Sequence, residues 1–167
     1  MNIRILMESD AVSYQELRLR ALKINPEAFG STFEREVEFT EEMIQERIKP
    51  TKDKFVLGAF NQQNFLVGIV TFMRETSLKT AHKGNIYGMF VAPETRGMGV
   101  GKLLLDELIR KAKNIGGLEQ LNLTVVSNNA AANKLYTSLG FDTYGVERNA
   151  LKDNGEYFDE NLMVLFI

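Results

Sequence analysis

Apolar positions recur along this chain with two periods, one typical of strands and one typical of helices. Residues 2–7 alternate apolar and polar side chains, and several later runs are rich in β-branched and aromatic residues, which predicts strands. Other runs space apolar residues three and four positions apart, as at residues 132, 135, 136 and 139, which predicts helices with one buried face. The predicted strands are residues 2–7, 55–60, 65–73, 85–91, 120–126, 141–146 and 156–166, and the predicted helices are residues 12–24, 40–48, 101–115 and 130–139.

Turn residues set the order of these elements. Residues 61–64 (Asn-Gln-Gln-Asn) predict a hairpin between the second and third strands, and Asp153-Asn154-Gly155 predicts a final hairpin. The strand at 85–91, the helix at 101–115 and the strand at 120–126 follow one another as a βαβ unit. The pattern therefore predicts a mixed α/β fold.

Composition narrows the class of protein. The chain has 167 residues with 44% hydrophobic and 25% charged positions and no internal linker, which predicts one domain over residues 1–167. It has no Cys, which excludes a disulfide framework, a thiolate metal site and a cysteine nucleophile. A Ser-His-Asp triad or a two-His metal site would have to rest on His82 alone, so neither a hydrolase nor a metal centre is predicted.

Charge argues against two kinds of partner. The 20 basic and 22 acidic residues give a net charge of −2, which disfavours a nucleic-acid partner. The N-terminal run becomes acidic at Glu8, too early for a signal peptide, and no apolar run approaches the ~20 residues that span a bilayer. We expect a cytoplasmic protein without a membrane partner.

A glycine-rich loop at residues 91–102 leaves a predicted strand and opens a predicted helix. Free backbone N–H groups and the positive end of the helix dipole favour a phosphate there, although three glycines also suit a plain strand-to-helix turn. A nucleotide P-loop needs Gly five positions before Gly101, where Arg96 stands. The spacing Gly97-x-Gly99-x-Gly101 also departs from the dinucleotide fingerprint Gly-x-Gly-x-x-Gly, so neither ATP nor NAD is predicted.

Two motifs together carry a resemblance to a known family. Residues 96–101 read Arg-x-x-Gly-x-Gly, and residues 129–141 read Asn-x-x-Ala-x-x-Leu-Tyr-x-x-x-Gly-Phe. In this order and context the chain resembles the GNAT superfamily of N-acetyltransferases. The resemblance implies an α/β (α+β) fold with a mixed, mostly antiparallel sheet of about seven strands, splayed between the fourth and fifth, and about four flanking helices.

The resemblance also implies acetyl-CoA as the acetyl donor. The pyrophosphate would lie over residues 96–102 and the pantetheine arm along the fourth strand, with Asn129 both capping the next helix and binding a pantetheine amide. The implied donor-binding residues are Phe90, Val91, Arg96, Gly97, Met98, Gly99, Val100, Gly101, Lys102, Asn129, Ala132, Lys134 and Tyr136.

Tyr136 is the one catalytic residue that the resemblance implies, as the acid that protonates the CoA thiolate, although it also fits a core aromatic position. Many relatives carry a Glu on the fourth strand, whereas residues 85–91 hold no carboxylate. The base is therefore unassigned, and a water chain would serve equally. The side chains near the expected acceptor cleft that remain candidates for the base are Glu34, Glu36, Glu75, His82 and Asp159.

Because no Cys is present to carry the acetyl group, we expect direct transfer in a ternary complex.

The acceptor is expected to be a primary amine of a small molecule, a peptide or protein N-terminus, or a lysine. Its site would come from the link between the first two helices, residues 74–84 and the final hairpin. Residues 33–47 are rich in Glu, which suits a cationic amine but is more typical of a solvated helix face. The sequence leaves open whether the protein is a homodimer. A non-catalytic CoA-binding regulatory module and an interaction domain that binds no CoA remain the alternative functions.

Overall fold

The computed structural model describes residues 1–167 and contains seven strands and five α-helices. The strands are β1 (Asn2–Ile5), β2 (Lys54–Phe60), β3 (Leu66–Arg74), β4 (Lys83–Val91), β5 (Gln120–Val126), β6 (Asp142–Asp153) and β7 (Glu156–Phe166). The helices are α1 (Ala11–Ile24), α2 (Phe33–Glu36), α3 (Glu41–Ile48), α4 (Val100–Ala112) and α5 (Ala130–Ser138). None of these helices is long and apolar enough to cross a membrane.

All seven strands form one sheet in the order β1-β2-β3-β4-β5-β7-β6. Every neighbouring pair is antiparallel except β4 and β5, which are parallel because α4 connects them as a crossover. The predicted mixed and mostly antiparallel sheet is confirmed.

The sheet opens between β4 and β5. These strands pair only from Lys83 to Asn85 on β4 and from Gln120 to Asn122 on β5, so the remainder of β4 has no partner strand on that side. One extra residue bulges from β4, because Ile69 and Thr71 of β3 face Phe90 and Tyr87. Gly88 lies in this bulge with φ of 58°, a conformation that glycine adopts without strain. The opening is the splay that the resemblance implies.

Apolar side chains from both faces of the sheet form one buried cluster. Helices α1 and α4 both pack against β3, and α1 also packs against α3. Phe72 of β3, Leu104 of α4 and Leu121 of β5 are each fully buried in the cluster. This packing holds β4 and β5 at the end where they still pair, and leaves their other ends apart.

Beyond shifts of a few residues at element ends, the structure differs from the prediction mainly in three places. A one-turn helix, α2, forms in the link between the first two predicted helices, where the Thr32 hydroxyl accepts a hydrogen bond from the Arg35 N–H at 3.3 Å. Val12 is the first apolar residue of the helix predicted over residues 12–24, but it is 58% exposed. Strand β6 continues to Asp153 beyond the predicted end at Val146, because the long β7 gives it partners as far as the final turn.

Candidate functional site

Two cavities meet in the opening between β4 and β5. One has a volume of about 540 Å³ and extends from the glycine-rich loop along β4, and the other has a volume of about 450 Å³ and lies on the side of α1, α3 and β7. We call them the donor cavity and the acceptor cavity. The residues that line both are Ala28, Phe29, Met89, Asn129, Ala132 and Tyr136. The opening therefore forms a continuous cleft through the sheet.

The glycine-rich loop presents a row of unpaired backbone donors to the donor cavity. The N–H groups of Gly97, Gly99, Val100, Gly101 and Lys102 have no hydrogen-bond acceptor within the chain. Gly97 and Gly99 have φ of 78° and 77°, and a Cβ on either would point into open space. Gly99 is the N-cap of α4, so the helix dipole points at the same place. These features fit a diphosphate that lies directly on the backbone.

Arg96 is held at the edge of this loop by three contacts. Its Nε donates to the Val91 carbonyl at 3.1 Å, its Nη2 donates to Asn25 Oδ1 at 3.0 Å, and its guanidinium lies 5.6 Å from the Phe90 ring centroid. The side chain lines the donor cavity together with Phe90 and Val91. A fixed positive charge therefore stands beside the unpaired N–H groups.

Three of the predicted donor contacts lie at the periphery. Lys102 lines the donor cavity, but its ammonium forms a salt bridge with Asp106 one turn along α4. Met98 is 66% exposed and Lys134 is exposed on α5, and neither side chain lines either cavity. Roles for Met98 and Lys134 stay predictions.

Tyr136 lies at the junction of the two cavities. Asn129 begins α5 by accepting the Ala132 N–H on its side-chain oxygen at 3.2 Å, and about two turns later the helix directs the Tyr136 ring inward. The phenol is 7% exposed, donates to Met89 Sδ at 3.4 Å and packs edge-on against Phe141. Burial raises the pKa of Tyr136 to about 12, so the phenol is protonated at neutral pH.

A carboxylate that sequence reasoning missed lines the acceptor cavity. Glu160 of β7 lies opposite Val126 of β5 and opposite Glu147 of β6. Burial, and after it the negative charge of Glu147, raise the pKa of the Glu160 carboxyl above its ordinary value of 4.5, while the Thr124 hydroxyl acts in the opposite direction. The structure thus brings Glu160 and Tyr136 to the walls of one cavity.

The carboxylates named from the sequence lie elsewhere. Glu36 is buried and bound by two arginines, Glu34 is exposed, Glu75 accepts from Asn85 Nδ2 at 2.8 Å, and Asp159 accepts from the Asn149 N–H at 2.8 Å. None of the four lines the acceptor cavity, and His82 does not line it either. Asp159 misses the cavity by one position, because successive side chains of a strand point to opposite faces of the sheet.

Comparison with known proteins agrees with this geometry. A protein family described as the acetyltransferase (GNAT) domain matches residues 3–162 of the chain. The chain belongs to the GNAT family of acetyltransferases. The resemblance drawn from residues 96–101 and 129–141 is thereby confirmed.

Two curated N-acetyltransferases are similar to part of the sequence. An L-amino acid N-acetyltransferase of Escherichia coli (strain K12) is 30% identical over 98 residues, which is 59% of this chain and 60% of that protein. A [ribosomal protein bS18]-alanine N-acetyltransferase of Salmonella typhimurium (strain LT2) is 32% identical over 83 residues, which is 50% of this chain and 55% of that protein. The matched region thus spans somewhat more than half the length of each of these curated relatives.

The fold extends over the whole length of a solved GNAT structure. The crystal structure of an acetyltransferase of the GNAT family from Streptococcus pneumoniae superposes with a TM-score of 0.89 and is 25% identical, with 99% of each chain covered. The predicted GNAT fold is therefore confirmed along the chain.

Proposed function

We propose that this GNAT protein is an N-acetyltransferase that uses acetyl-CoA and passes the acetyl group to a primary amine by direct attack in a ternary complex. The observation that supports this most is the continuous cleft, since one end carries the five unpaired N–H groups and the other end carries the carboxylate of Glu160. A cleft open from both faces of the sheet lets donor and acceptor meet without a covalent enzyme intermediate.

The donor would bind along the glycine-rich loop and the free side of β4. Arg96 and the backbone of residues 97–102 would hold the diphosphate. Beyond Asn85, β4 lacks a partner strand on the β5 side, so backbone groups near Phe90 and Val91 would pair with the pantetheine amides as an added strand pairs. Acetyl-CoA supplies an acetyl group that its thioester activates toward an amine.

Acetyl transfer forms a bond from the amine nitrogen to the acetyl carbon and breaks the bond from that carbon to sulfur. The nitrogen loses a proton and the sulfur gains one. Tyr136 would give the proton to sulfur, because its phenol stays protonated and its only partner in the chain is the weak acceptor Met89 Sδ.

Glu160 would take the proton from the amine. The raised pKa of this carboxyl brings it closer to neutral pH, where a general base works best, and the carboxylate lines the cavity that the acceptor would enter. Strand β4 has no carboxylate that could act as the base. In this assignment β7 supplies one from the other side of the opening.

Donor binding can be tested before any acceptor is known. Acetyl-CoA at ~100 times its dissociation constant adds about 2.7 kcal/mol to the free energy of unfolding, which raises the melting temperature measurably. We expect this rise with CoA and acetyl-CoA and a much smaller one with NAD or ATP. Equal rises with all three kinds of ligand would contradict the donor assignment.

Turnover then decides between an enzyme and a regulatory module. Release of free CoA thiol is measured with acetyl-CoA and a set of amines that includes amino acids, amino acid amides, a polyamine and an alanine-initiated peptide, beside a control without amine. Amine-dependent thiol release supports the transferase. CoA binding without release for any amine would favour the non-catalytic alternative.

A further inference from the structure

Two arginines that line the acceptor cavity, Arg18 and Arg47, bind one buried glutamate behind it. Arg18 of α1 binds Glu36 of α2 through two hydrogen bonds of 2.9 Å, and Arg47 of α3 reaches the same carboxylate at 3.1 Å. Arg18 and Glu36 are 5% and 1% exposed. Burial raises the pKa of Glu36, but the hydrogen bonds of Arg18 and the charges of Arg18 and Arg47 outweigh burial and lower it, so the carboxylate is ionised. One negative charge thus balances only one of two positive charges.

Arg18 keeps a donor free on the cavity side. Its Nε and Nη2 bind Glu36, whereas its Nη1 donates to no acceptor in the chain. Arg18 lines the acceptor cavity, and Nη1 lies 3.6 Å from the position that a Cβ on Gly88 would occupy. A buried guanidinium with an unpartnered N–H at a cavity wall is a ready site for an oxyanion.

Lys54 adds a further positive charge to the same cavity. Its ammonium donates to the backbone carbonyl of Glu46 at 3.0 Å and forms no salt bridge. Glu42 and Glu46 lie near it on the outer surface, but neither forms a salt bridge with Lys54 or Arg47. Glu160 is the only acidic side chain that lines the acceptor cavity, against three basic ones.

The anion site and the proposed acid contact neighbouring positions of β4. Arg18 Nη1 faces Gly88, and the Tyr136 phenol contacts the next residue, Met89. Because Arg18 and Tyr136 also line one cavity of about 450 Å³, an acceptor that reached both would be small. A cavity of this size favours few bonds between the anionic group and the amine nitrogen.

We propose that the acceptor is a small amine that carries a carboxylate a few bonds from its nitrogen, with the carboxylate bound by Arg18 and Arg47 and the charge of Lys54 attracting it. This inference rests on the proposed acetyltransferase function and gives it a substrate class. It replaces the cationic acceptor that the Glu-rich run 33–47 suggested, because Glu36 of that run is neutralised and the cavity presents its arginine partners instead.

The test compares each of the common L-amino acids with its own carboxamide as acceptor. The two differ only in the anionic group, so we expect thiol release with one or more amino acids and a much higher KM for the matching amide. In Arg47→Gln the KM for the amino acid is expected to rise about 10- to 100-fold with little change in kcat, which is typical of one lost charge-assisted hydrogen bond. The KM for the amide should not change.

Arg35→Gln is the matched control. Arg35 and Arg47 lie 5.9 Å and 5.8 Å from the same Phe39 ring, but Arg35 does not line the acceptor cavity. Its substitution should leave both KM values as they are. Arg18→Lys keeps a positive charge and loses the planar guanidinium, so a folded variant should have a higher KM for the amino acid. If Arg18→Lys does not fold, Lys54→Met takes its place, and its KM for the amino acid should also rise.

The outcomes separate this inference from the proposed function. Turnover of amides, polyamines or the peptide with no preference for a free carboxylate would overturn the substrate class and leave the acetyltransferase standing. An unchanged ratio of amino acid to amide KM in Arg47→Gln and Lys54→Met would also overturn it. No thiol release with any amine would overturn both proposals.

Discussion

Replacing Glu160 by Gln should lower activity while leaving the fold at least as stable. Gln has nearly the same shape and cannot accept a proton from the amine. A positioned general base contributes about 10²- to 10⁴-fold, so kcat at neutral pH should fall within that range if proton removal limits the rate. Because Gln fills the same space in the cavity wall as Glu160, the KM for acetyl-CoA should stay the same.

The effect on stability follows from the raised pKa. A carboxyl whose pKa is higher in the folded state than in the unfolded chain favours folding most when protonated, below its ordinary pKa of 4.5. That contribution is lost as the pH rises through the raised value, so at neutral pH the ionised side chain bears the cost of burial and of repulsion by Glu147. Gln removes both costs, and the melting temperature at neutral pH should stay equal or rise.

Glu147→Gln is the control for this reasoning. Glu147 is exposed on β6 and does not line the acceptor cavity, but its charge raises the pKa of Glu160. Its neutralisation should keep kcat at neutral pH and move the acidic limb of the rate profile to lower pH. Thiol release across pH 5–9 and thermal melting on the same preparations measure all of these quantities. A Glu160→Gln protein with wild-type kcat, when chemistry limits the rate, would refute the assignment of the base.

Two further substitutions test the donor side of the cleft. Tyr136→Phe keeps the ring that packs on Phe141 and loses only a long hydrogen bond to Met89 Sδ, so thermal melting should show a loss of about 1 kcal/mol or less in the free energy of unfolding. In the thiol-release assay kcat should decrease by up to ~10²-fold, because the acid is lost. The affinity for acetyl-CoA should stay unchanged. Wild-type turnover in this variant would remove Tyr136 from the mechanism. Gly99→Val strains a residue with φ of 77° and places a branched side chain where the diphosphate would lie, so this variant should lose the CoA-induced rise in melting temperature. Gly116→Val is the control, because a Cβ there also meets no neighbouring atom, and this variant should keep the rise.

Local features of the fold were predictable because local interactions form them. The helix that contains Tyr136 follows from apolar spacing and from Asn129, whose side chain accepts an N–H three residues later. The glycine-rich loop was predictable for the same reason, since its free N–H groups and the start of α4 depend on residues within a single turn. Strand boundaries were correct within two residues for β2, β3, β4 and β5.

The acceptor side could not be predicted in the same way. Asp159 and Glu160 are adjacent acidic residues of one strand, and only the pairing of β7 with β5 decides that Glu160 and not Asp159 lines the cavity. The bulge at Gly88 likewise depends on how β3 and β4 align, and no turn signal marks it in the sequence.

The sequence by itself determined the family, the donor loop and the helix that carries Tyr136, because each depends on residues close together in the chain. Only the tertiary structure decided the charge of the acceptor cavity. Arg18 and Glu36 are 18 positions apart, and their pairing appears only when α1 packs against α2 and β3. A count of acidic residues along residues 33–47 predicts a negatively charged cavity, whereas the side chains that line it are mostly basic. The count cannot show which charges are neutralised within the fold and which ones face the cavity.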